Sequence, residues 1–298
     1  MKTYCVVSDN DREILEYNGF GSFESLWDAK RDWFEEPNFR RHGWSGVSQH
    51  VLKRPKGGSL TVFIKRQQNH NFHSILHPLR GFPTAYREYR NICKLKERGI
   101  PCSNLVFYGH RKNGGQWQAI LITRALTGYK PLEDALDLIE QDDVAARRAL
   151  LASVARTLSR VHRHYLRHSC LYAKHIFVRV RGPADAAPRG EHEFDSVLID
   201  LEKMRIGFPL FRLALHDLDT LYRHWNRKEG DWETFIGSYL DRMEFGVLSR
   251  RVKAAFLGRN GSCGKDVPSH FQGFPCQNEH DVLPAGGPEV QANGLTHR

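Results

Sequence analysis

Lys65, Glu88 and Asp200 lie far apart in the chain, yet their types together suit the holding of a phosphate and a divalent cation. Asp200 closes the apolar run Val197-Leu198-Ile199. A carboxylate at a strand end suits Mg²⁺, a hard cation that takes one or two carboxylates and completes its shell with phosphate oxygens. Lys65 closes the run Thr61-Val62-Phe63-Ile64, and strand alternation puts it on the same face as Phe63 and Thr61. Glu88 falls in a stretch of helical periodicity, on the side of Ala85, Ile92 and Leu95. A carboxylate on an apolar helix face is costly without a partner. Lys65 is the natural partner.

The segment His168-Ser169-Cys170-Leu171-Tyr172-Ala173-Lys174-His175-Ile176-Phe177-Val178 reads as a loop running into a short strand. A loop, strand, turn and strand ending in Asp is how protein kinases hold Mg²⁺ against a nucleotide, and a strand Lys paired with a helix Glu positions the phosphates there. The loop of such a site carries an Asp that receives the substrate proton. Cys170 stands in its place. A thiol is a poor base for a hydroxyl, because the thiolate persists only with a lowered pKa. His168, His175 and Glu202 are the other groups near enough in sequence to take a proton. His175 occupies the place of a second metal ligand, and an imidazole there also suits a satisfied core position. Gly43, Gly46 and Ser48 precede a strand and read as a candidate phosphate loop, since glycines let backbone N–H groups approach phosphate closely. Asp217 begins a helix-like stretch, where an Asp can anchor the loop's backbone. The clusters His70, His73, His77 and His162, His164, His168 suggest zinc at first sight, but no HExxH run or Cys pair completes a tetrahedral set.

Elements able to position these residues follow in order. Residues 47–52 and 59–65 read as strands joined by the turn-rich 53–58. Residues 83–99 read as a helix, with Pro83 at its start and Gly99 and Pro101 at its end. Residues 105–110 and 117–123 form a hairpin around Asn113-Gly114-Gly115. Residues 124–131, with Gly128 and Pro131, read as an interlobe hinge. A helix capped by Asp142-Asp143 carries Val144, Leu151, Val154, Leu158 and Val161. Further helices are expected at 210–225 and 232–256. Residues 258–298 lose all periodicity and read as a disordered tail. Strands first and helices later predict an α+β fold in two lobes: an antiparallel sheet with one helix over about 20–124, then a mainly helical lobe over about 132–257.

The 298 residues suffice for both lobes. Six cysteines without a CxxC pair suit a reducing cytoplasm. No apolar run is long enough to span a membrane. The net charge of +10 favours an anionic substrate or membrane surface. The basic residues form only short clusters, and no zinc finger or RNP-type aromatic motif is present, so no nucleic-acid partner is expected.

Taken together, Val62-Phe63-Ile64-Lys65, Arg87-Glu88-Tyr89, the 168–177 string and Val197-Leu198-Ile199-Asp200-Leu201 resemble the lipopolysaccharide kinase family, in its InaA-like branch, over roughly residues 20–256. The resemblance implies a protein-kinase-like fold and ATP- and Mg²⁺-dependent phosphorylation of a Kdo or heptose sugar of the lipopolysaccharide core. The acceptor would be the core or another phosphorylated glycolipid, met in the cytoplasm by peripheral contact with the inner membrane. Lys65 would bind ATP phosphates, Glu88 would hold Lys65, Asp200 and His175 would bind metal, and Asp217 would support the loop. Cys170 departs from the family's catalytic Asp. It opens a second reading, a nucleotide-binding pseudokinase with a regulatory or stress-response role.

Overall fold

In the computed structural model, the residues described are 3–30, 32–40, 43–74, 77–140, 142–180 and 194–243. The 258–298 tail lies outside them. A six-stranded antiparallel sheet is built from β1 (Thr3–Val7), β2 (Trp33–Arg40), β3 (Gly43–Lys53), β4 (Ser59–Gln68), β7 (Leu105–Asn113) and β8 (Gln116–Arg124), in the order β1-β7-β8-β4-β3-β2. A small ribbon of β5 (Asn71–Ser74) and β6 (His77–Pro83) leads into α3 (Thr84–Glu97).

Both faces of the sheet are covered, which is why β8 is apolar almost throughout. Ile120 and Ile122 face α1 (Asp9–Tyr17) and α2 (Phe23–Asp28), packing with Leu15, Phe23, Leu26 and Trp27. Ala119 and Leu121 face the other way, with Tyr108, onto Ala85, Ile92 and Leu95 of α3. The sheet therefore carries three helices rather than the expected one, and its first strand lies upstream of residue 20.

Beyond β8, β9 (Lys130–Pro131) adds to the hairpin of β11 (Ile176–Val180) and β12 (Phe194–Leu198). Helices α4 (Leu132–Asp137), α5 (Val144–Arg163), α6 (Leu210–His224) and α7 (Asp231–Arg242) pack around it, with α5 buried along Leu150, Leu151, Val154, Leu158 and Val161. The Asp143 carboxylate accepts the Ala146 N–H and caps α5. A two-residue ribbon pairs β10 (Leu166–Arg167) with β13 (Arg205–Ile206). The last helix among the described residues ends at Arg242; the rest of the expected stretch to residue 256 lies outside them.

Candidate active site

In the β3–β4 register Lys65 lies opposite Val47 and Ser48 opposite Ile64, so Lys65 points to the α3 side of the sheet and Ser48 away from it. On the α3 side the Lys65 ammonium donates to Glu88 Oε2 at 2.9 Å and to Glu202 Oε2 at 3.1 Å. The lysine side chain is only 19% exposed. Burial alone would strip its charge, but Glu88, Glu202 and Asp200 reverse that and hold its pKa well above the ordinary value. Burial raises the Glu88 carboxyl against the pull of Lys65. Burial also acts to raise Glu202, but there Lys65 outweighs it and the pKa falls. Two carboxylates meet one ammonium, and Asp200 lies near enough to add to the field they set up.

Helix α3 does more than supply Glu88. Asn91, one turn on, donates its amide to the carbonyls of Leu201 at 2.8 Å and Met204 at 2.9 Å. It thereby ties the 3₁₀ turn Leu201–Lys203, which carries Glu202, to the same helix that holds Lys65. Neither Asn91 nor the Lys65–Glu202 contact was legible from the sequence. From the sequence Glu202 reads only as a possible proton acceptor.

Asp200 precedes that turn in a left-handed conformation, φ 55°. Asp tolerates this region better than most residues, but the position still costs energy, and such strain gathers at functional sites. The conformation leaves the Asp200 side chain 43% exposed, with Oδ2 at 3.7 Å from His175 Nε2. Burial would raise the Asp200 carboxyl, but His175 and Lys65 hold it below the usual carboxylate range. His175 donates its Nδ1–H to the Cys170 carbonyl at 2.8 Å, which turns Nε2 toward Asp200. Burial lowers the His175 pKa, and Asp200 works against that. Of these donors the exposed Asp200 carboxylate fits Mg²⁺, whereas imidazole is a softer ligand than Mg²⁺ prefers. Among the described residues no three His, Cys, Asp or Glu side chains are grouped to hold a metal unaided. A cation here would therefore share its shell with phosphate oxygens.

The 168–175 loop hangs from Asp217 of α6. The fully buried carboxylate accepts the backbone N–H of His168 at 2.6 Å and of Ser169 at 2.9 Å. His162 of α5 donates its Nε2–H to the same carboxylate at 3.3 Å and accepts the Tyr239 hydroxyl of α7 at Nδ1, 2.8 Å away. Burial would raise the Asp217 pKa, but the hydrogen bonds from His162 and His216 drive it far below the ordinary value.

Two sequence expectations are corrected. His168 is fully buried and donates Nε2–H to the Ile199 carbonyl at 2.9 Å, so it is not placed to take a substrate proton. Gly43, Gly46 and Ser48 are strand residues rather than a loop. A Cβ on Gly43 would lie 2.1 Å from the Gln68 carbonyl, and one on Gly46 would strike the Trp33 ring at 2.6 Å. These glycines serve close packing. Ser48 is buried and accepts from Arg66 Nη1 at 2.8 Å, while Arg66 Nε donates to the Leu26 carbonyl of α2 at 2.9 Å. The turn between β2 and β3, residues 41–42, lies outside the described residues. Cys170 is itself buried, 4% exposed.

Residues 24–239 match the model of the lipopolysaccharide kinase (Kdo/WaaP) family. The chain belongs to that family. Protein InaA of Escherichia coli (strain K12) is 32% identical over 223 residues, an alignment covering 74% of this chain and 96% of InaA. A solved structure of WaaP in complex with acyl carrier protein superposes with a TM-score of 0.54 at 20% identity, over 86% of this chain and 94% of that one. The family member described here thus shares with WaaP a mixed fold of antiparallel sheet and helices.

Proposed function

We propose that this protein is a kinase that transfers the γ-phosphoryl group of ATP to a Kdo or heptose hydroxyl of the lipopolysaccharide core. The observation that carries this reading is Lys65, held charged between Glu88 and Glu202 within a few residues of Asp200. Lys65 would bind the phosphates, with Glu88 and Glu202 aiming it. Asp200 would hold Mg²⁺, with His175 beside it. The metal, when bound, neutralises charge on the phosphate oxygens. Asp217 fixes the loop past which the acceptor would lie. The whole would act as a two-lobed kinase-like fold, with residues 124–131 as hinge. The substrate would be met at the cytoplasmic face of the inner membrane. No helix among the described residues is long and apolar enough to cross a membrane.

A second reading is favoured by the burial of Cys170. Together with the engaged side chains of His168 and Glu202, it leaves His175, whose Nε2 faces Asp200, as the remaining candidate base. A base contributes about 10²–10⁴-fold to such a step, whereas positioning and electrostatics contribute most of the rest. The protein could then bind nucleotide and signal without turnover. One pair of measurements separates the readings: Mg·ATP thermal shift, and labelled γ-phosphate transfer to purified core lipopolysaccharide, each with wild type and Asp200→Ala. Transfer lost in the variant supports the kinase. Binding without transfer to any core acceptor selects the pseudokinase.

A further inference from the structure

Directly after the turn that carries Glu202, the chain pairs β13 with β10 and presents large apolar side chains to water. Phe208 is 81% exposed, Ile206 58% and Tyr165 40%. Phe208 and Tyr165 stack on each other, centroids 5.5 Å apart at 21°, so the exposed rings form one patch. Tyr165 adopts φ 56°, a conformation that favours glycine, and is held there by Gly207 N–H donating to its carbonyl at 3.1 Å. Strain is thus maintained to present an aromatic ring outward, which simple solubility would not select.

The surroundings are cationic. Arg163, Arg205 and Arg212 are exposed and lie within a few residues of Tyr165, Ile206 and Phe208 in the chain. Arg205 lies directly opposite Arg167 in the ribbon, which adds to the positive charge of this edge. No Asp or Glu occurs in residues 144–180 or 203–216. Exposed apolar rings with arginines close by in the chain complement an interface of acyl chains and anionic headgroups.

We infer that the β10–β13 ribbon docks this protein on an anionic phospholipid surface, with Phe208, Ile206 and Tyr165 entering the headgroup–acyl boundary and Arg163, Arg205 and Arg212 meeting lipid phosphates. This rests on the proposed lipid-borne acceptor and gives it a place. The ribbon continues from the segment of Asp200 and Glu202, so a glycolipid in the same leaflet arrives beside the phosphate-holding residues.

The test is co-sedimentation of the full chain with vesicles of phosphatidylglycerol and phosphatidylethanolamine, against vesicles of phosphatidylcholine alone. Wild type partitions onto the anionic vesicles, and raised salt weakens the binding. Phe208→Ser with Ile206→Ser lowers the partition about tenfold or more, at unchanged melting temperature, since both side chains face water. Tyr17→Ser, an exposed ring at the end of α1, changes nothing. Asp200→Ala abolishes any transfer yet sediments like wild type, which separates docking from catalysis. Absent binding to anionic vesicles, or binding that the paired serine substitutions leave intact, overturns the inference.

Discussion

The surroundings of Lys65 and the loop around Cys170 are held together in opposite ways. At Lys65 the side chains themselves are constrained: one ammonium bonded to two carboxylates on separate elements. In the loop the backbone is constrained, through two N–H groups on Asp217 and the Cys170 carbonyl on His175, while the side chain at 170 has no part in those bonds. A loop held through its backbone depends less on the residue at 170 than the Lys65 site depends on its own side chains.

The sharpest probe of that contrast is Cys170→Asp. If the loop's shape is independent of residue 170, a carboxylate there meets a site already assembled, and transfer to core lipopolysaccharide rises by about 10²–10⁴-fold. Single-turnover kinetics with labelled ATP would read it. An unchanged rate would locate the deficit in the Lys65 half instead.

Asp217→Ala breaks the loop half alone. It removes a buried charge that accepts two backbone donors and His162, at a cost of roughly 3–5 kcal/mol of stability, measured by urea unfolding. The wild-type carboxyl has a folded pKa below its unfolded value, so its contribution is full above roughly pH 4 and is lost as pH falls from there. Stability of the alanine variant should accordingly decline less steeply on acidification than that of wild type.

Asn91→Ala has the smallest effect and tests the link between the halves. Two buried carbonyls lose their donor, for about 1–3 kcal/mol. The thermal shift by Mg·ATP should shrink more than the stability does, because Asp200 and Glu202 are no longer registered to Lys65. Equal losses would mean that Asn91 serves the fold alone.

What the sequence disclosed follows the same division. Lys65 and Glu88 were legible because a buried carboxylate among Ala85, Ile92 and Leu95 must find a cation. Helix α5 was legible from its apolar period. Strand β1 and helices α1 and α2 were not: Thr3–Val7 is an edge strand open to water along most of its length, and α1 buries only Asp11 and Leu15. Gly43, Gly46 and Ser48 looked like a loop because glycine and serine favour turns. Within β3 the glycines make room for Trp33 and the Gln68 backbone, a reason that lies in other segments. Glu202 and Asn91 act across separations that no local pattern carries.

Asn91 and Glu88 sit one turn apart on a rigid helix, and between them they grip both the lysine and the stretch from 201 to 204. That stretch consequently lacks a hinge of its own. A rotation of α3 that withdrew Glu88 from Lys65 would pull on the turn from 201 to 204 as well, so the two halves of the site are coupled through one helix.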